Sequence, residues 1–145
     1  MPKLKGLPVY QGQVTGEQAV RHGKGSFQYP DCGGNMFQFA GDWKDGRKEN
    51  GKFVLRSYME HDGNFVNGEI EGEGTRRWQS GQMYTGSWKD GEMEGQGRWV
   101  SAKEDEVYEG EMKANKRFGE GVLTKTFPDG SVQIYRGSFS NHKFK

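Results

Sequence analysis

Rings and glycines alternate with polar residues along this chain. In Tyr84-Thr85-Gly86-Ser87-Trp88, positions 84, 86 and 88 alternate with hydroxyl residues and so share one face of a strand. Lys89-Asp90-Gly91 follows, a turn signal because Asp-Gly tolerates the positive φ of a tight hairpin. Gly95-Gln96-Gly97 then sets two glycines on one face of a returning strand. The phrase returns about every 23 residues, which predicts a stacked array of hairpins.

The frame is aromatic-x-Gly-x-aromatic-x-x-Gly-x-x-x-Gly-x-Gly. It starts at His61, Tyr84 and Tyr108, in degenerate form at Tyr10 and Phe39, and half-complete at Tyr135. In the Tyr108 copy Met112 replaces the second ring and Asn115 the turn glycine, asparagine being able to take the same conformation. The Phe39 copy slips by one residue, so Gly51 stands alone and Phe53 falls where a glycine would follow. A strand glycine bares a patch of backbone, and a ring from the next hairpin is its expected occupant. Each hairpin alone is marginal, and stacking buries its aromatic face. Ser101–Glu106, Pro128-Asp129-Gly130, and Tyr29-Pro30-Asp31 with Gly33-Gly34 are expected to be inter-repeat loops or turns.

The pattern resembles the MORN family (membrane occupation and recognition nexus repeats) over roughly residues 9 to 145. The expected fold is all-β: an elongated, single-layer, antiparallel open sheet of about 11 to 12 strands, twisted along its length. Residues 1–8 are expected to be a tail. Residues 9–145 form the array, about five full repeats plus a terminal half repeat.

A mean hydropathy of −1.02 would suit a disordered chain, but 13% of residues are aromatic, and in register. That favours an ordered, thin sheet with one buried face. The net charge of +1 supplies no bulk attraction for nucleic acid. No apolar run is long enough to span a membrane, and Met1–Lys5 lacks the apolar stretch of a secretory signal. Cys32 is the only cysteine, so no internal disulfide forms. Neither a myristoylation nor a prenylation signal is visible. These features fit a cytoplasmic setting, or a compartment continuous with it.

Little in the chain suggests chemistry. His22, His61 and His142 are scattered and form no zinc-type cluster. His61 stands in the first-ring column and reads as a ring of the stack. Pairs such as Gly72-Glu73-Gly74 lack the lysine and the helix of a phosphate loop. No catalytic, metal or cofactor residue is assigned, and the chain is expected not to be an enzyme.

Three features point to partners. Glu69, Glu71, Glu92 and Glu94 occupy equivalent positions on rungs roughly 10 Å apart, forming an acidic stripe that could dock a basic partner. Arg76 stands where other copies place Phe27, Trp99 or Leu123, and Arg77 and Trp78 follow it. Either the register shifts so that Trp78 packs, or an arginine–tryptophan patch faces outward as an interface anchor. From Lys113 onward basic residues dominate, and Lys116, Arg117 and Lys125 are the candidates for anionic lipid.

The resemblance implies a non-enzymatic scaffold within a multi-protein assembly, since similar MORN proteins occur in cytoskeletal, ciliary and axonemal complexes. It implies the same locations here. The alternative it suggests is peripheral attachment to anionic phospholipid. The open edge at the C-terminal end could pair with another protein or a second copy.

Overall fold

The computed structural model describes residues 9–30, 36–55 and 58–145. The expected tail at residues 1–8 and the loop positions 31–35 lie outside the described residues. Twelve strands follow in chain order: β1 (Val9–Thr15), β2 (Val20–Pro30), β3 (Met36–Lys44), β4 (Arg47–Leu55), β5 (Met59–Val66) and β6 (Glu69–Trp78), then β7 (Met83–Lys89), β8 (Glu92–Val100), β9 (Glu106–Lys113), β10 (Lys116–Thr126), β11 (Val132–Ser140) and β12 (Lys143–Phe144). They form one open antiparallel sheet in the order β1 to β12. The all-β, single-layer architecture is the expected one. Tyr29 and Pro30 depart from expectation: they end β2, opposite Phe37 and Met36, rather than entering a loop.

The turns follow the residues that can hold them. Asp90 and Gly91 have φ of 51° and 78°, the conformation of a two-residue hairpin turn that matches strand twist. Asn115 holds the same place at 67° and His142 at 71°, so the turn does not demand glycine.

Register joins the copies into continuous rows. Gly12, Gly25, Gly41, Gly51, Gly63, Gly74, Gly86, Gly97, Gly110, Gly121 and Gly137 pair in succession from β1 to β11. Two residues away runs a second row: Tyr10, Phe27, Phe39, Phe53, His61, Arg76, Tyr84, Trp99, Tyr108, Leu123 and Tyr135. Gly51 and Phe53 are thus in place. In the Tyr84 copy one residue between Gly86 and Trp88 faces three between Met93 and Gly97, a bulge that holds Gly95 at φ 89°. In the Phe39 copy the facing segment, Lys48 to Gly51, holds only two. The slip is a shorter bulge, and the rows continue through it.

The strands fold at the glycine row. Tyr84 and Trp88 are four residues apart in one strand, which separates their backbones by about 13 Å when the strand is straight. Their ring centroids are 5.2 Å apart, edge to face. Phe39 and Trp43 repeat this at 5.2 Å, and His61 and Phe65 at 6.0 Å. A ring row therefore lies inside a bend, and Tyr84 and Tyr108 are fully buried although the sheet has one layer.

The ring over each second glycine comes from the same hairpin, which corrects the expectation of a neighbour's ring. A Cβ on Gly97 would lie 2.1 Å from Tyr84 Oη and 2.3 Å from its Cζ. Gly25, Gly51, Gly74 and Gly121 are covered likewise by Tyr10, Phe39, His61 and Tyr108. The hydroxyls of Tyr10, Tyr84 and Tyr108 each donate to the carbonyl three residues on. The next hairpin contributes the second ring instead. Trp43 packs on Tyr10 at 5.4 Å, Phe65 on Phe39 at 5.2 Å and Trp88 on His61 at 4.7 Å. Trp43 Nε1 and Trp88 Nε1 each donate, at 3.0 Å, to the carbonyl of the preceding hairpin's covered glycine, Gly25 or Gly74. Ile70 joins the two halves of the resulting core.

Two substitutions separate the roles of the glycines. Gly97→Ala puts a methyl into the buried Tyr84 ring and is expected to cost about 1–3 kcal/mol or more. Gly91→Asn meets no neighbouring atom and takes a φ that Asn115 already holds, so it stays within about 1 kcal/mol of wild type. Urea denaturation of the two variants checks the contrast.

Candidate functional site

His61 is the ring its column predicts. It is fully buried, edge-on to Trp88, with its ring over Gly74. Neither ring nitrogen has a hydrogen-bond partner. Burial, and then the charge on Arg76, lower its pKa to about 4. His61 is therefore neutral in the fold at physiological pH.

Arg76 stays in register between His61 and Tyr84. Its guanidinium lies 4.3 Å from the Trp88 ring centroid and 5.8 Å from that of Trp78. Trp78, two residues on, packs part-buried against the core on the same side. Arg77 is exposed, its Nη2 3.6 Å from Met83 Sδ, and strand alternation turns it to the opposite face. The three residues therefore form no single patch: Arg76 and Trp78 belong to the ring side and Arg77 does not.

The acidic residues divide as well. Glu69 and Glu92 are exposed, each the first residue of its strand. Glu71 and Glu94 are half-buried, and Glu71 Oε1 accepts from the Asp90 amide at 3.4 Å. Arg47 and Lys116 hold the position of Glu69 and Glu92 in the flanking repeats. The stripe is two repeats wide and bordered by cations.

Two of the three lipid candidates share one carboxylate. Arg117 is 3.8 Å and Lys125 3.4 Å from Glu106. Arg117 also lies over the Trp99 and Tyr108 rings and is largely buried. Lys116 is exposed. At the C-terminal edge β12 pairs with Phe139 and Ser140 of β11, and Val132 and Ile134 are exposed.

The fold also creates recesses. On the ring side, Trp78, Trp99, Met93, Met112 and Arg117 line a pocket of about 210 Å³. On the other face a groove of about 710 Å³ runs along Gly86, Gly97, Gly110, Gly121 and Gly137, flanked by Arg98, Glu109 and Arg136. Arg98 and Glu109 pair along one side of it at 3.0 Å. A further recess near the first turns holds Arg21, Arg47 and Lys48. These sites escaped sequence reading because their residues come from three or more strands. Among the described residues, no group of three His, Cys, Asp or Glu side chains is placed to hold a metal ion.

A family model described as MORN repeat matches residues 18–31, 39–57, 61–83, 84–106 and 108–132, more than half of the chain. The chain belongs to the MORN-repeat family. Four of the matched segments begin at Phe39, His61, Tyr84 and Tyr108, the residues whose rings cover a glycine. Human Alsin is 30% identical over 86 residues, which is 57% of this chain and 5% of Alsin. Mouse Alsin is 27% identical over 86 residues, with the same coverage. The MORN array thus spans a small fraction of these relatives. MORN repeats are generally non-catalytic modules of protein or membrane interaction, and this array is an interaction module in that broad sense.

His61 makes the MORN array acid-sensitive. Its folded pKa lies below the free value of 6.5, so the unfolded chain binds the proton first as pH falls. Its share of stability is complete above 6.5 and is lost toward pH 4, at up to about 1.4 kcal/mol per pH unit. His61→Tyr removes this loss and adds a hydroxyl placed to donate to the Asn64 carbonyl, worth about 0.5–1.5 kcal/mol. Denaturation of both proteins at about pH 7 and pH 4.5 measures the difference.

Proposed function

We propose that this MORN array is a non-enzymatic scaffold subunit that holds other proteins in a larger assembly, cytoskeletal or ciliary and axonemal in setting. The observation that carries this reading is the pocket lined by Trp78, Trp99, Met93 and Met112. Tryptophan is favoured at interface anchor points, and methionine adapts to varied apolar side chains. A partner's apolar side chain fits a pocket of about 210 Å³, and the polar groove on the other face leaves a second surface free for another partner. The family resemblance supports the setting.

Attachment to anionic phospholipid is the weaker reading. Glu106 neutralises part of the charge on Arg117 and Lys125, leaving Lys116 as the exposed member of the set. A lipid-binding cluster ordinarily gathers about 4 to 8 free cations.

The test is native affinity purification of the tagged protein at moderate salt, wild type beside Trp78→Ala and Trp99→Ala. A defined set of cytoskeletal or axonemal proteins should be retained by wild type and depleted at least about tenfold by each variant, the usual effect of removing an interface anchor. Retention unchanged in both variants overturns the assignment to this pocket. Recovery of lipid alone, lost on Lys116→Gln, favours the membrane reading.

A further inference from the structure

The recess beside the first hairpin turns has a charge pattern unlike the rest of the molecule. Arg21 from β2 and Arg47 and Lys48 from β4 line it together with Phe27, Trp43 and the turn backbone. No acid lines it. Arg21 lies 4.4 Å from the Phe27 ring centroid and 5.2 Å from that of Trp43. Arg47 donates from Nη1 to Asn67 Oδ1 at 2.9 Å. Among the described residues, the side chains of Arg21 and Lys48 make no ion pair and no hydrogen bond. Both are half-buried. Burial, and then Arg21, act against the charge on Lys48, and Glu69 is the acid that acts for it without reaching ion-pair distance. Two like charges are thus held together by packing on rings, with no acid at ion-pair distance among the described residues.

We propose that this recess binds the phosphate monoester of a phosphorylated side chain on a protein partner. The proposal rests on the scaffold reading. Charge favours phosphate over carboxylate, since a phosphomonoester carries about −1.5 to −2 at neutral pH and offers three acceptor oxygens to three cations. Ring contacts restrain the Arg21 guanidinium, and its unpaired N–H groups suit a two-oxygen acceptor. The volume of about 290 Å³ suits one anionic group rather than a large ligand. A protein source fits better than a bilayer. Asp45 and Glu69 are exposed beside Gly46 and Gly68, and would repel an anionic membrane laid across the opening.

The experiment follows the Arg21 Nε–Hε signal by NMR in the full chain, titrated with inorganic phosphate, O-phosphoserine and acetate. Phosphate and phosphoserine should give saturable shifts at least about tenfold tighter than acetate, the range expected for charge-assisted pairs. Lys48→Gln should weaken phosphoserine binding about tenfold, Lys48→Arg should keep it, and the distant Lys116→Gln should leave it unchanged. Lys48→Arg separates lost charge from lost fold. Absence of saturation, equal binding of acetate, or no effect of Lys48→Gln overturns the site. Vesicles of phosphatidylcholine with phosphatidylinositol bisphosphate form the other arm. Lys48-dependent vesicle binding that phosphoserine does not displace overturns the protein source. Failure of the scaffold reading would appear in the Trp78 and Trp99 captures while the phosphate shift persisted, so the two failures are distinguishable.

Discussion

Everything in this array depends on a ring lying flat enough on a glycine for the strand to fold around it. Tyr84 over Gly97 shows the constraint: even a methyl on residue 97 would occupy the ring's own space. The bend that follows brings Trp88 back onto Tyr84. That turns a single sheet, which would otherwise leave its rings half-wet, into one with fully buried side chains. The tyrosine hydroxyl finds a carbonyl at the bend, so burial strands no polar group there.

Repeats are joined by a different contact. Where a hairpin has a second ring, it sits against the first ring of the hairpin before it, and where that ring is tryptophan it also donates to that hairpin's glycine carbonyl. Each repeat thus supplies half of its neighbour's core, which couples the hairpins in series. The row tolerates residues other than hydrocarbons because its geometry is edge-to-face. His61 contributes an edge, and Arg21, Lys48, Arg76 and Arg117 lay cations over ring faces. Arg76 and His61 carry a cost, since both leave buried nitrogens without partners.

The same architecture explains why the molecule offers recesses rather than one deep cavity. Bending along a glycine row leaves a groove on the outer face, and unequal side chains along the ring row leave pockets between repeats. Each differs in character: mixed charge along the glycines, tryptophan and methionine near β8, unpaired cations near the first turns. A surface divided in this way suits several distinct contacts made at once, in keeping with the scaffold role proposed above.

Much of this was legible in the residues. Strands, turns and the glycine and ring columns follow from alternation and from the few residues that accept positive φ, and both are local properties. So was the place of His61, because a column position is a matter of counting. The shorter bulge at Gly51 was not, since a one-residue slip along the chain looks like lost register until the partner strand restores it. Which hairpin's ring covers each glycine, that Arg77 parts from Arg76 and Trp78, and that Glu106 holds both Arg117 and Lys125 were decided only in three dimensions. The sequence by itself determined the repeat, the turns and the open antiparallel sheet. The tertiary structure alone decided the bend, the recesses and the charge pairs, because these depend on side chains from several strands meeting across a fold in the sheet.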